Sequence, residues 1–577
     1  MYLAELSIEG FRKIGKLDLR FRSGLNVLVG ANNVGKTAIV DALRALLSTS
    51  DEGALRVDDL DLHVNNAGLR ASHILFRYVF RDLSVEEEAD FFAALKPQPK
   101  IDGEPQKYEA HLCVRFVPFN TGGRLRPKRW CGDHEENAVT SEMLEELRAV
   151  YLPPLRDPAS GLRPSRTSQI ARLIDRLSDD GAKRDIVDAL TTFDDELAKK
   201  APVAKTQKAI TERHEEMVGT LLKQKMKVGL TPPDFQRLAA RLALEVENLE
   251  VELNGLGFNN LIYMAVILSE LSLNPDAAYK ALIVEEPEAH LHPQLQAILL
   301  QYLESKEKPA QGERAVQVFV TSHSPNFASI ASLDSVGCIH QSSSSTQSFF
   351  PREVEFEKGK KEKLQRYLDV TRAELFFARR IIFVEGAAEL FMVSALAKKL
   401  KIDLRKQSVS LLSTEGLNFD SFLPLFGENA LNVRVAIISD GDPPEPKSYP
   451  KLGDPPVRSA TANGLKAKEN VFIKTFFAQK TLEYDLALQP ENRAVMLDAL
   501  EELHGVIGKD LRKAVENAAD ADKARELFSG MFERGDTKSN VQKGAYAQAL
   551  AHAIAKDGVD IKVPPYIEQA LEFIVKE

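Results

Sequence analysis

The 577-residue chain has no run of 18 uninterrupted apolar residues, so no stretch of it reads as a membrane-spanning helix. Its first residues, MYLAELSIEGFRKIG, lack the apolar core of a signal peptide. The three cysteines, Cys113, Cys131 and Cys338, lie far apart without a C-x-x-C pair, which excludes a disulfide framework and a zinc ribbon. Aromatics are scarce at 7%, with one tryptophan, and no internal repeat or long low-complexity tract is present. These absences point to a reduced, soluble, cytoplasmic protein with no membrane partner. A net charge of −9 argues against a chain coated in DNA-binding residues. Local basic runs remain, at Arg124–Trp130, Lys223–Lys227 and Lys360–Lys363, each of which has a solvated face as its ordinary reading.

At this length more than one core is required, and two to four domains are expected. The strongest local signal is LNVLVGANNVGKTAIVDALRALL, from Leu25 to Leu47. An apolar run ends at Gly30, and Asn32, Asn33 and Gly35 lead into Lys36 and Thr37 at the start of a helix. This is G-x-x-x-x-G-K-[ST] in its strand–loop–helix context. Backbone N–H groups of such a loop cradle phosphates. Lys36 is placed for the β- and γ-phosphates, and Thr37 for Mg²⁺. Ile39, Leu43, Leu46 and Leu47 share a helical face that must pack on a sheet.

Alternation over residues 1–22 reads as two strands, and HILFRYVF and HLCVRFVPF as further strands before a rigid turn at Leu152–Asp157. Residues 160–250 are charged and helix-patterned, with breaks at Pro202 and Pro232-Pro233, and read as a helical insertion. After it, Gly255 and Gly257 open an apolar helix. The strand Leu282–Val284 ends in Glu285 and Glu286, suited to a magnesium shell and an attacking water. Val316–Val320 leads into Thr321-Ser322-His323. His290 and His292 stand at i, i+2, a spacing that does not converge on one helical face, so zinc is not expected there.

In this order the four motifs resemble the ATP-binding-cassette ATPases, in the branch of chromosome-maintenance and repair ATPases. The resemblance implies Gly30, Lys36 and Thr37 on phosphate and magnesium, Glu285 on magnesium, and Glu286 as catalytic base. It also implies His323 as the switch histidine and Gly255 and Gly257 as a signature loop acting across a dimer.

Composition resets after Arg372. Strand Arg379–Val384 ends in Glu385-Gly386, and Glu389 follows one helical turn on. A second strand is expected at Val409–Leu412, and a third, Val433–Ile438, ends in Ser439-Asp440-Gly441-Asp442. On an extended backbone Asp440 and Asp442 leave on one side. Acids at neighbouring strand ends suit hard divalent cations. The combination resembles the TOPRIM fold of topoisomerases, primases and certain nucleases. A strand at Phe472–Thr475, an acid at Glu483, and Lys543 in the segment Lys538–Ala547 extend the likeness.

The whole chain is similar to the OLD (overcoming lysogenization defect) nucleases, most of all the class that includes the nuclease subunit of the Gabija anti-phage system. The resemblance implies an α/β fold with an ABC-type P-loop ATPase domain (1–159 and 251–372), a helical dimerisation insertion (160–250) and a C-terminal TOPRIM domain (373–577). It implies Glu385, Glu389, Asp440, Asp442 and Glu483 as ligands of two Mg²⁺ or Mn²⁺ ions, with Lys543 stabilising charge on the scissile phosphate. ATP, DNA, a homodimer or homotetramer and a helicase-like protein are the implied partners, in a prokaryotic cytoplasm. The rival reading is an ATP-gated DNA-binding or repair clamp without nuclease activity.

Overall fold

The structure, a computed structural model, describes the chain apart from residues 49–54, 101–104, 120–122, 155–156, 166–167, 231–233, 248, 275–276, 312, 343–344, 417, 429, 446–447, 536–538, 557 and 577. Pro232-Pro233, Lys538 and part of the 152–157 turn therefore lie outside the described residues. The chain divides into two compact units, Met1–Asn26 with Thr37–Thr321, and Val27–Lys36 with Ser322–Glu577.

In the first unit the alternating segments pair as an antiparallel sheet. Ile14–Arg20, Tyr2–Phe11, Ile74–Arg81 and Tyr108–Pro118 run side by side, and Leu95–Pro97 and Leu125–Cys131 both pair with Tyr108–Pro118. A second group is parallel: Tyr279–Glu285 lies between Leu147–Leu152 and Gln317–Thr321. Every residue of Tyr279–Glu285 is buried, which explains why it reads as a continuous apolar run and not as an alternating one. Gln317 joins the two groups. Its side-chain oxygen accepts from Leu3 N at 2.9 Å and Tyr279 Oη at 2.8 Å, and its amide donates to Leu3 O and Arg22 O at 2.9 Å each.

The insertion is helical, with Gln169–Leu177, Asp180–Lys199 and Ala201–Val218 as its main elements. The break expected at Pro202 falls at Lys200, between the two long helices, and Pro202 sits in the first turn of Ala201–Val218, where its missing N–H has no intrahelical acceptor to lose. The two longer helices bury no residue fully, and the stretch contributes to two small apolar clusters, one around Ala171, Phe235 and Ala239 and one around Leu162 with Ile170, Leu244 and Val246. Among the described residues one helix, Leu256–Leu273, is long and apolar enough to cross a membrane. Its buried face here includes Met264, Ile267, Leu268 and Leu271.

In the second unit Val27–Val29 pairs in parallel with Val336–Cys338, and Val336–Ser342 pairs antiparallel with Ser345–Phe349. A separate sheet of four parallel strands follows, in the order Val409–Ser413, Arg380–Val384, Arg434–Ser439, Ile473–Phe477. Its core is shared with the helices Ala387–Lys399, Arg493–Leu503, Lys523–Phe532, Lys543–Ala555 and Pro565–Val575. Parallel strands all present their C-terminal ends on one edge. Ligand sites in open α/β sheets gather on that edge.

Candidate functional site

Four acids and a lysine meet at the C-terminal edge of the four-stranded sheet. Glu385 follows the strand Arg380–Val384, and Asp440 follows Arg434–Ser439. Glu389 stands in the first turn of Ala387–Lys399, Glu483 in the first turn of Leu482–Leu488, and Lys543 opens Lys543–Ala555. Each is placed by an element end, so the covalent frame of the domain fixes its approach.

Protein donors hold the carboxylates individually. Glu385 Oε1 accepts from Ser439 Oγ at 2.5 Å and from Asp440 N at 2.9 Å. Glu389 Oε2 accepts from Gly386 N at 2.9 Å, capping its own helix. Asp440 Oδ1 accepts from Leu482 N at 3.0 Å, and Glu483 Oε2 accepts from Thr481 Oγ1 at 2.9 Å. Lys543 Nζ lies 3.1 Å from Glu483 Oε2 and 4.0 Å from Asp440 Oδ2.

Crowding of acids in a buried place shows in their titration. Burial first, then the nearby charge of Glu483, raises the Asp440 carboxyl well above its ordinary range, against a lowering pull from Lys543. Glu389 is raised as well, mainly by burial. Burial alone would lower Lys543, but Glu483 and Asp440 outweigh it and hold the ammonium above its usual value. Raised acids gathered around one ammonium mark this sheet edge as a candidate functional site.

The residues fit a hard divalent cation. All four acids offer oxygen donors, and Glu483 Oε1 is buried with no hydrogen-bond partner, an orphan that a bound cation would satisfy. Among the described residues no three His, Cys, Asp or Glu side chains converge as they stand on a position that could hold a metal ion. Glu385 and Glu389 are instead turned onto N–H and hydroxyl donors of the chain.

One expectation is corrected. Asp442 does not continue an extended strand, because the strand ends at Ser439 and Asp442 has a φ of 40°. Gly441 N and Asp442 N both donate to Lys480 O, at 3.1 and 3.2 Å, and that shared acceptor curls the chain. Asp442 is exposed and borders a cavity beside Asp440.

Sequence reading missed the loop that does this. Ala478 N donates to Ser439 O at 3.1 Å, and Gln479 N and Lys480 N donate to the buried Asp485 carboxylate at 2.9 and 3.2 Å. Burial pushes Asp485 up to about 6, opposed by those backbone donors. Ser439, Thr481 and Asp485 carried no motif; only an apolar strand followed by a capped acidic helix marked the region.

In the second unit Lys36 Nζ donates to Gly30 O at 2.6 Å and Ala31 O at 2.9 Å, and stands 3.0 Å from His323 Nδ1. Gly30 has a φ of 155°, and a Cβ there would lie 2.1 Å from Ile339 O, so only glycine fits. Asn33 and Gly35 have positive φ, and Asn32 is exposed. In the first unit Thr37 Oγ1 donates to Glu285 Oε2 at 3.2 Å and Tyr151 Oη to Glu285 Oε1 at 2.6 Å. Burial raises Glu285, against those two hydrogen bonds. Glu286, at φ 46°, donates its N–H to Thr321 O at 2.9 Å. Gly255 is the N-cap of Leu256–Leu273, and a Cβ on Gly257 would meet His290 O at 2.5 Å. His292 caps Pro293–Ser305.

Residues 1–114 and 133–328 match the family model for the AAA ATPase domain, and residues 376–442 match that for the TOPRIM domain of overcoming-lysogenization-defect-like proteins. The chain is 23% identical over 438 residues to the OLD nuclease of Thermus scotoductus, covering 72% of this chain and 77% of that protein. Among solved structures, the C-terminal region of the Burkholderia pseudomallei OLD protein aligns at 26% identity, with 34% of this chain and 97% of that chain covered and a TM-score of 0.25. An Smc head bound to the C-winged helix domain of ScpA aligns at 19% identity, with 63% and 100% covered and a TM-score of 0.37.

Proposed function

The chain belongs to the AAA ATPase domain family and carries an OLD-like TOPRIM domain, and from that premise we propose that it is an ATP-binding, divalent-metal-dependent DNA endonuclease. The observation that carries the proposal is the meeting of Glu385, Glu389, Asp440 and Glu483 with Lys543 at one sheet edge, around the orphaned Glu483 oxygen.

Two divalent cations held by these acids, with Asp442 from the cavity side, would supply Lewis-acid charge to the scissile phosphate. The chain's own residues do the rest. Ser439 and the Asp440 N–H orient Glu385. Lys543 presents its ammonium where negative charge would grow on the phosphate oxygens. Lys36, with Gly30, Asn32, Asn33 and Gly35, is assigned to the nucleotide phosphates, Thr37 and Glu285 to its magnesium, and Glu286, His323, Gly255 and Gly257 to nucleotide turnover, which regulates cleavage.

We further propose an anti-phage role, a homo-oligomer joined through residues 160–250, and action beside a helicase-like protein in the prokaryotic cytoplasm. The exposure of both long insertion helices supports the second point. The experiment is nicking of supercoiled plasmid in Mn²⁺. The parent cuts, EDTA and Asp440→Ala abolish cutting, and Lys36→Ala removes ATP binding while altering only the nucleotide dependence of cutting. Undiminished cutting by Asp440→Ala refutes the site. Loss of every activity in Lys36→Ala favours an ATP-driven clamp.

A further inference from the structure

A cavity of about 190 Å³ opens beside the acids, with Asp440 and Asp442 on one wall. That is far more than the roughly 10–15 Å³ that admits one water molecule. The segment Ser459–Lys468, which includes the helix Ala460–Lys466, also lines it. Its buried side, Ala462 and Leu465, anchors it. Thr461 and Gly464, at i and i+3, share a face of this helix, and Lys468, two residues past its end, lines the cavity with them, all three exposed.

What these three residues offer is what a phosphodiester backbone requires. Thr461 offers a hydroxyl and Lys468 an ammonium. Gly464 offers close access, because a Cβ there meets nothing within 4 Å, and glycine recurs where backbone must approach a ligand. Three acids that would oppose a phosphate also line the cavity. Asp440 and Asp442 stand among the groups assigned to cations. Asp420 is already neutralised, by Lys468 at 2.7 Å and Lys360 at 3.5 Å. Lys468 also lies 3.9 Å from Glu357. Lys360 comes from the basic run Lys360–Lys363, whose role the sequence left open. The cavity is therefore lined by Asp420, Asp440 and Asp442, by one lysine, Lys468, and by the apolar Phe419, Ala462 and Leu465, with Lys360 bound to it through Asp420.

We propose that this cavity is a substrate subsite that seats the DNA strand next to the scissile phosphate, with Thr461, Gly464 and Lys468 as its rail. The inference rests on the nuclease reading for its substrate and deepens it. Contacts of this kind position a strand without reading its sequence. Lys468 exchanges Asp420 for a phosphate as the strand enters, so its contribution falls with added salt.

The test uses the full-length protein and a fluorescein-labelled oligonucleotide, read by anisotropy in Ca²⁺, with Mn²⁺ cleavage followed in parallel. Gly464→Leu fills the cavity from an exposed helical position where the fold has room. It should weaken oligonucleotide binding at least fivefold and raise KM for cleavage by a similar factor, with kcat within twofold. Its Mn²⁺ binding, by calorimetry, should equal the parent's. Lys468→Glu should weaken binding more than tenfold at 50 mM salt and converge on the parent at high salt. Parent-like oligonucleotide affinity in both variants overturns the subsite while parental cleavage keeps the nuclease reading. Loss of Mn²⁺ binding in Gly464→Leu also overturns it, since the cavity would then be part of the acid site's frame. A parent that binds oligonucleotide but never cuts removes the nuclease reading, and weakened binding by Gly464→Leu then still supports the subsite.

Discussion

Gly441→Ala is the sharpest probe of how the acid site is held. A Cβ on Gly441 would lie 2.3 Å from Ala478 O and 3.0 Å from Gln479 O. Real Cβ contacts do not fall below 3.0 Å, so the 478–480 segment must retreat by at least about 0.7 Å. That segment cannot retreat alone. Ala478 N is bonded to Ser439 O, Lys480 O receives the N–H groups of Gly441 and Asp442, and Leu482 N is bonded to Asp440 Oδ1. One methyl group therefore moves Asp440, Asp442 and the start of the Glu483 helix relative to Glu385. Overpacking of this kind costs about 1–3 kcal/mol of stability. Misplacing reacting groups by most of an ångström lowers turnover on the order of 100-fold. The assay is plasmid nicking in Mn²⁺ beside urea denaturation, with Gly505→Ala as control. Gly505 begins the helix Gly505–Asn517 and has nothing within 4 Å of an added Cβ, so its alanine variant should match the parent. Full activity in Gly441→Ala would refute the claim that the 478–482 loop sets the acid geometry.

Two further outcomes follow from the electrostatics. Lys543→Met leaves Glu483 and Asp440 facing each other without their cation. Removing one partner of a buried pair costs roughly 3–5 kcal/mol, and the 44% exposure of the Lys543 side chain brings this to about 1–2 kcal/mol. Added Mn²⁺ should stabilise this variant more than the parent in thermal melts, while cleavage stays lost; equal metal-free stability would contradict the pairing. Asp485, raised from 3.8 to about 6, is penalised in its charged form, so its contribution favours the folded state at low pH and fades as pH rises through 6. Between pH 5 and pH 7 in EDTA this amounts to about 1 kcal/mol of lost stability. Asp485→Asn should lack that increment in urea titrations, and an unchanged pH slope would show that Asp485 ionises freely.

Legibility in the sequence followed the distance over which each interaction acts. The phosphate loop is local: Lys36 bonds Gly30 O and Ala31 O, five or six residues away, so its pattern is written in consecutive letters. The strand-end acids were legible for a related reason, since an apolar run followed by Glu385 or Asp440 marks a buried strand and its exit. What holds those acids was not. Ser439 reaches Glu385 across 54 residues, and Leu482 reaches Asp440 across 42, contacts that exist only once parallel neighbours are known. The course of Asp442 was misread because alternation was extended three residues past the end of a strand. The acceptor that bends the chain, Lys480 O, lies on a loop with no signature. Gly464 and Lys468 had none either, because exposed Thr, Gly and Lys at a helix look like any solvated surface.

The central claim is that this carboxylate cluster is built to hold divalent cations for phosphodiester chemistry. A crystal of the parent soaked in Mn²⁺ and measured at the manganese edge tests it most directly. The account predicts anomalous peaks between Glu385, Asp440 and Glu483, lost in Asp440→Asn with the fold intact. Manganese bound elsewhere with no peak at these acids, under conditions in which the protein still cuts DNA, would contradict it.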